Sequence, residues 1–241
     1  ESTVYSLFAN STNDKMLYLG TDMGLIVGTY SHGEFAALNH FNEWGDVHSI
    51  ASDNSGRIGI GTSHNGVYIS NPGKTLEFKH ITQKEGLPTV NENFIFTYRQ
   101  EFLIAGDTGF YKIQNIDQPK CIKVENFDLP SAALAKVPVS RAKQIDNDIW
   151  FQYSSKDENQ IRKDLLTSLT MQNNLLTENN KMLHRIKNVN AKGFFSDSNH
   201  VYISTNAGLY CYDKSAVPKQ SLFYTFISRL SFKDDTSMVV T

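Results

Sequence analysis

Short apolar runs alternate with polar and glycine-rich turns along almost the whole chain. Runs such as residues 4–8 and 47–51 have the period of two that is typical of half-buried β-strands. Four similar phrases follow such runs, and each joins two apolar strands through a tight turn closed by glycine: residues 18–25, 60–67, 104–110 and 202–209. Each phrase predicts a β-hairpin, because glycine tolerates the positive φ that tight turns require.

The hairpin phrases recur at a regular interval. Their closing glycines, Gly24, Gly66, Gly109 and Gly208, are separated by 42, 43 and 99 residues. The last interval is close to two longer repeats, and residues 148–153 supply a degenerate copy that keeps the strand but lacks the glycine turn. The spacing therefore predicts five repeats.

Each repeat has room for two further strands. One candidate lies upstream of the hairpin, as at residues 4–8, 47–51, 93–96 and 192–195, and another lies downstream, as at residues 35–38, 76–81, 120–124 and 223–227. A four-stranded sheet of this size hides its apolar faces only by packing against neighbouring sheets. We therefore predict an all-β fold, a β-propeller-type array of about five four-stranded antiparallel blades at residues 4–43, 47–88, 92–130, 141–189 and 190–230.

One segment allows a second interpretation. Residues 160–186 carry leucines at heptad-like spacing, Leu165, Leu169, Leu176 and Leu183, which also suits a helix. Threonine and asparagine are abundant there, and the segment stands where two outer blade strands are due. Strands joined by a long loop are the favoured interpretation.

The composition suits a folded domain and excludes several classes of partner. Apolar residues make up 40% of the chain and charged residues 20%, and the formal net charge is -2. Basic and acidic residues are interspersed, so we expect neither nucleic-acid binding nor attraction to anionic lipid. No run approaches the length of a membrane helix, so no direct membrane insertion is expected. Cys121 and Cys211 lie in apolar runs and are predicted to be buried thiols.

The residues that carry chemistry do not form a recognisable catalytic or metal-binding pattern. The seven histidines are dispersed, and His40, His80 and His184 fall at corresponding positions of outer strands, which favours a structural role. The sequence shows no pair of carboxylates of the kind that glycoside hydrolases use for general acid–base catalysis. We expect no catalytic residues, no metal and no cofactor, and therefore not an enzyme.

A ligand is expected at one rim of the propeller. The hairpin turns and the links between blades converge there on the central channel. The candidate binding residues in these loops are Asp22, His64, Asn65, Asp107, Asn206, Glu43, Trp44 and Asp46. Trp44 is the sharpest candidate, since an indole in a polar stretch stacks well on a sugar or an aromatic ring. The alternative is that Trp44 fills the gap between two blades.

At these phrases the chain resembles the two-component regulator propeller repeat. Residues 52–62 match its strand and Gly-Thr turn, and residues 85–88 match its downstream Gly-Leu-Pro. The chain departs from that pattern at the position of the usual tryptophan, where it has Tyr18, Gly59, Leu103 and Tyr202.

The resemblance implies a setting for the array. Residues 223–235 are similar to the passage that leads such propellers into an immunoglobulin-like three-Tyr domain, which places a truncated start of that domain at residues 231–241. In that family the propeller lies outside the cytoplasmic membrane and controls an output domain such as a kinase. The resemblance thus implies a periplasmic or extracellular sensor.

Three functions stay open on the sequence. The first is a sensor whose ligand is a small molecule such as a carbohydrate. The second is a scaffold that binds another protein or a second copy of this chain. The third, a carbohydrate-active enzyme using Asp107 or Glu43, has the least support, because neither carboxylate has an evident partner.

Overall fold

A computed structural model describes most of the chain. The described residues are 2–9, 16–70, 77–107, 109–115, 117–124, 139–156, 162–172, 175–178, 183, 186, 189–215, 230–231 and 237–238.

Five antiparallel sheets account for nearly all of the described residues. The first three are β1 (Val4–Ala9), β2 (Met16–Thr21), β3 (Gly24–Ser31) and β4 (Glu34–Phe41); β5 (Val47–Ser52), β6 (Ile58–Thr62), β7 (Val67–Ser70) and β8 (Phe78–Ile81); and β9 (Phe94–Tyr98), β10 (Glu101–Gly106), β11 (Gly109–Gln114) and β12 (Lys120–Lys123). The last two are β13 (Val139–Ile145), β14 (Asp148–Lys156), β15 (Arg162–Gln172) and β16 (Leu175–Glu178); and β17 (Ala191–Ser196), β18 (His200–Thr205) and β19 (Gly208–Asp213). A short ribbon, β20 (Leu230–Ser231) with β21 (Ser237–Met238), follows.

The predicted fold class is confirmed. Strands pair in chain order within each sheet, and the first strands of successive sheets contact one another, which is the arrangement of a five-bladed β-propeller. The described part of residues 160–186 contains β15 and β16, so the strand interpretation is confirmed for Leu165, Leu169 and Leu176. The predicted fourth strand of blade 5, residues 223–227, lies outside the described residues, and the following domain predicted at 231–241 stays a prediction.

The core consists of hydrophobic clusters between blades rather than one central core. Among the described residues there are four such clusters, one for each junction from blade 1–2 to blade 4–5. Strand β10 shows how one strand serves two of them. Phe102 and Ile104 pack toward blade 2, whereas Leu103 and Ala105 pack toward blade 4. Both faces of an inner blade are therefore buried, which explains why its strands read as continuous apolar runs.

The repeated hairpin turn is held by one pattern of hydrogen bonds. In blades 1, 2 and 5 a threonine hydroxyl donates to the carbonyl of the closing glycine at 2.9 Å; these threonines are Thr21, Thr62 and Thr205. The same hydroxyl accepts a backbone N–H from within the turn at 2.9–3.1 Å. The closing Gly24 has φ of +106°, and a Cβ there would lie 2.0 Å from the carbonyl oxygen of Phe41. Glycine is thus required both by conformation and by space.

Two of the three outer-strand histidines have equivalent structural contacts. His40 Nε2 lies 2.8 Å from the carbonyl oxygen of Met23, and His80 Nε2 lies 2.7 Å from that of Asn65. Each ring therefore ties an outer strand to the hairpin turn of its own blade. His184 lies outside the described residues.

One sequence prediction about the cysteines is wrong. Cys121 is buried between blades 2 and 3, as predicted, but Cys211 is exposed. The alternation of β19 turns Tyr210 and Tyr212 toward blade 4 and leaves Cys211 on the opposite face, which no described blade covers.

Candidate functional site

The innermost strands of all five blades line one channel. The described part of this channel has a volume of about 560 Å³, and β1, β5, β9, β13 and β17 all contribute to its wall. This volume lies in the range of natural small-molecule sites. The channel is therefore the place where residues far apart in sequence come together.

A recurring irregularity directs side chains to this channel. The pairing of the first two strands shifts by one residue in blades 1, 2, 4 and 5, at Tyr5, His48, Ser140 and Lys192, and three of these residues, Tyr5, His48 and Lys192, line the channel. Bulges of this kind are frequent beside functional sites, because the extra residue re-aims a side chain. The Tyr5 and His48 rings meet edge to face with centroids 4.6 Å apart.

Strand β13 contributes two cations to the same wall. Arg141 and Lys143 are two positions apart, so the strand projects both from one face. The Arg141 guanidinium stands over the ring of Phe94 in blade 3 at 5.2 Å, and the Lys143 ammonium stands over the ring of Phe195 in blade 5 at the same distance. These cation–π contacts hold the positive groups in place along the channel wall.

The electrostatic environment of the channel is positive. Burial, together with the positive charges of Arg141 and Lys192, lowers the pKa of His48, while Asp46 opposes the shift. Burial also lowers the pKa of Arg141, against the influence of Glu92, and partial desolvation lowers the pKa of Lys143. His48 is therefore neutral at physiological pH, and the standing charge comes from the Arg and Lys side chains.

The structure brings several of the sequence-predicted rim residues together. Asn65 Nδ2 donates to the carbonyl oxygen of Trp44 at 3.0 Å and reaches that of Glu43 at 3.4 Å. The N–H of Ser63 donates to the carbonyl oxygen of Asp46 at 3.0 Å, and the Asp46 carboxylate lies 3.8 Å from His48 Nε2. The hairpin turn of blade 2 thus closes against the link from blade 1, at the end of the channel nearest His48.

Trp44 is packed inside the protein. Its side chain is 5% exposed, and its ring stacks on Tyr68 at 4.0 Å and on Phe41 at 4.4 Å between centroids. Phe78 meets its edge at 4.9 Å. Both faces of the indole are therefore occupied by the junction of blades 1 and 2, which corresponds to the packing alternative considered from the sequence.

The other predicted rim residues divide into turn braces and surface groups. The Asp22 carboxylate accepts the N–H of Thr3 at 3.0 Å, and Asn206 Oδ1 accepts the N–H of Asn190 at 2.8 Å. Each ties a hairpin turn to the start of the innermost strand of its own blade. His64 is exposed and Asp107 is half-buried. A role in ligand binding stays a prediction for these residues.

Sequence reasoning missed the residues that face the channel. His48, Arg141, Lys143 and Lys192 come from three different blades, and only the propeller arrangement brings them into one wall. The alternation at Arg141-Ala142-Lys143 in an innermost strand was an available signal, since it places two cations on one face of that strand and an apolar residue on the other.

The described residues offer little for metal chemistry. Within the described ranges, no group of three or more His, Cys, Asp or Glu residues is placed to hold a metal ion. Among those same residues, none forms a helix long and apolar enough to span a bilayer.

Solved structures with the same fold include bacterial signalling domains. The extracellular domain of BT4673 from B. thetaiotaomicron, described as a hybrid two component system, superposes with a TM-score of 0.61 at 14% identity over 98% of this chain and 31% of its own. The corresponding domain of BT3049 from the same organism gives 0.56 at 14% identity over 100% of this chain and 33% of its own. The structure of YCF48 bound to D1 peptide superposes with a TM-score of 0.52 at 12% identity, over 84% of this chain and 62% of its own.

These likenesses establish the fold. The chain spans about a third of the length of the two solved signalling domains. No family model and no curated protein matches the sequence. The predicted resemblance is thus confirmed as a likeness of fold to the extracellular domains of BT4673 and BT3049.

Proposed function

We propose that this propeller is a non-catalytic, extracytoplasmic sensing module of a two-component-type signalling protein, and that its ligand occupies the central channel. The observation that carries the proposal is the channel wall itself, to which the innermost strand of every blade contributes. A ligand there contacts all five blades at once. Binding would therefore change the relative position of blades, which is a signal that a following domain can receive.

The extracytoplasmic setting is supported by the fold likeness to the extracellular domains of BT4673 and BT3049. It is tested by expressing the natural full-length protein with a tag beside this segment and treating intact cells with protease. Cleavage in intact cells, or in cells whose outer membrane has been permeabilised, supports the location, and protection until the cytoplasmic membrane is lysed contradicts it.

A pair of matched variants tests whether ligands use the channel. Leu7 and Leu38 both belong to blade 1 and are 65% and 57% exposed, but only Leu7 lines the channel. Leu7→Trp adds bulk to the channel, whereas Leu38→Trp adds the same bulk to the outer strand β4. The binding assay is a thermal-shift and calorimetric screen of oligosaccharides and peptides.

The expected result is a ligand that raises the melting temperature of the natural protein and of Leu38→Trp but not of Leu7→Trp. A ligand that stabilises all three proteins equally binds elsewhere and contradicts the channel assignment. A peptide hit that survives Leu7→Trp favours the scaffold alternative, for which the fold likeness to peptide-bound YCF48 is the supporting observation.

A further inference from the structure

The channel wall carries positive charge from separate blades. Arg141 and Lys143 in blade 4 and Lys192 in blade 5 all line it, and His48 from blade 2 lies on the same surface. The described residues that line the channel include no aspartate or glutamate. The chain as a whole is slightly acidic, so this concentration of cations is a local feature of the channel.

Two described acidic residues near these side chains lie outside the wall. Glu92 interacts electrostatically with Arg141, and Asp46 lies beside His48, but neither lines the channel. The positive potential is felt within the channel, because Arg141 and Lys192 both disfavour a proton on His48. Partial desolvation of Lys143 strengthens its attraction for any anion that enters.

Aromatic rings lie beside the cations. The cationic groups of Arg141 and Lys143 lie over the faces of Phe94 and Phe195, and Tyr5 and Phe8 add aromatic side chains from blade 1. Tyr5 and Phe195 are partly open to solvent and can cover the apolar face of a ring. A wall of this kind suits a ligand that has both a negative group and a flat or CH-rich ring.

We infer that the channel binds a small anionic ring compound, an acidic sugar of one or two residues, whose carboxylate or sulfate group pairs with Arg141, Lys143 and Lys192. This inference rests on the proposed function and specifies its ligand class. The channel volume of about 560 Å³ accommodates a molecule of this size. Carboxylate and sulfate share the recognition chemistry, namely charge-assisted hydrogen bonds to guanidinium and ammonium groups.

The test compares acidic and neutral probes of similar size by isothermal titration calorimetry. Digalacturonate supplies a carboxylate, a sulfated heparin disaccharide supplies sulfate, lactose supplies a neutral ring, and inorganic sulfate supplies charge without a ring. The variant is Lys143→Gln with Lys192→Gln. The matched control is Lys84→Gln with Lys112→Gln, which removes the same charge from exposed positions outside the channel.

The expected result is that at least one acidic disaccharide binds about tenfold more tightly than lactose, and that the channel variant weakens this binding by about tenfold or more. The control variant is expected to change it by less than about twofold. Higher salt is expected to weaken the binding of the acidic probe and to leave the binding of lactose unchanged. If inorganic sulfate binds and neither acidic disaccharide does, the inference that the ligand contains a ring is wrong.

The alternative outcomes separate this inference from the proposed function. If lactose binds and is lost in Leu7→Trp while neither acidic probe binds, the channel is a ligand site but the anionic specificity is wrong. If no probe of either kind binds, the inference about the ligand class is wrong, and the channel assignment is then decided separately by the screen with Leu7→Trp and Leu38→Trp. Equal weakening by the channel and control variants shows a general charge effect and also overturns the inference.

Discussion

The middle blades and the end blades of this propeller have the same strand pattern but very different surroundings. In blades 2 to 4 each sheet packs on a neighbour at both faces, and strands such as β6 and β7 are buried throughout. In blade 1 the outer strand β4 is almost wholly exposed, and in blade 5 β19 is exposed at alternate positions. Every large hydrophobic side chain found exposed among the described residues belongs to blade 1 or blade 5.

This difference shows where the stability of a blade comes from. A four-stranded sheet supplies its own backbone hydrogen bonds, but its apolar side chains leave water only when another sheet covers them. Among the described residues, no hydrophobic cluster joins blade 5 to blade 1. Substitutions at equivalent positions are therefore expected to lower the free energy of unfolding strongly in the middle blades and weakly in the end blades.

The largest effect is expected for a buried leucine in the third strand of a middle blade. Leu169 in β15 is fully buried between blades 3 and 4, whereas Leu209 in β19 is 67% exposed. Leu169→Ala is expected to lower the free energy of unfolding by about 3 kcal/mol, because it leaves a cavity. Leu209→Ala is expected to change it by less than about 0.5 kcal/mol. Urea denaturation of both variants measures the difference, and similar losses would show that Leu209 is covered in solution.

The next effect concerns the close approach of neighbouring blades. A Cβ on Gly61 would lie 2.4 Å from the carbonyl oxygen of Asn93 in the next blade, whereas on Gly106 the nearest atom would be a side-chain oxygen at 3.5 Å. Gly61→Ala is expected to cost about 2 kcal/mol, since backbone must move, and Gly106→Ala less than about 0.5 kcal/mol. Thermal unfolding of the two variants is the measurement. Equal melting temperatures would mean that blades 2 and 3 separate more easily than this packing implies.

A smaller effect distinguishes a buried interblade hydrogen bond from an exposed one. Gln152 Oε1 accepts the N–H of Ala191 at 2.5 Å in a buried site, and Gln144 Oε1 accepts the N–H of Arg99 at 2.7 Å at the surface. Gln152→Met leaves the Ala191 N–H unsatisfied and is expected to cost about 1–2 kcal/mol. Gln144→Met is expected to cost less, because water replaces the lost acceptor. Chemical denaturation tests the ranking, and the reverse order contradicts it.

The smallest effect is a pH dependence in the exposed turn of blade 5. Backbone N–H groups of Asn199 and His200, and the hydroxyl of Tyr202, hold the pKa of Asp197 at about 2. Because this pKa is below its unfolded value of about 4, the contribution to stability is complete above pH 4 and is lost as the pH falls toward 2. Asp197→Asn is therefore expected to melt lower than the natural protein at pH 7 and equally at pH 2. A melting difference that does not change with pH contradicts this assignment.

Much of the fold was predictable from sequence because the strands and turns of a blade are held by contacts between residues close along the chain. The Thr21 to Gly24 turn and its counterparts recur because each turn makes the same short-range hydrogen bonds. The segment around Leu169 could be assigned to strands from its place in the repeat. Trp44 was less predictable, because its polar neighbours in the chain gave no sign of the aromatic rings that surround it.

The candidate site shows the limit of that reasoning. Arg141 and Lys143 share one strand, but Lys192 and His48 reach the same wall from other blades, separated by tens of residues. The alternation of side chains along a strand predicts which face of the strand a residue occupies, but it does not predict whether that face borders a channel, a neighbouring blade or solvent. The exposure of Cys211 could not be predicted for the same reason, since its apolar strand has a neighbour on one face only.

The sequence by itself determined the repeat unit, its four-stranded sheet and the chemistry of its turns, because these depend on contacts between residues close along the chain. Tertiary structure alone decided which cations meet in the channel and which apolar faces stay open. Both depend on how whole sheets are placed around a common axis, and that placement joins residues whose separation in sequence carries no local signal.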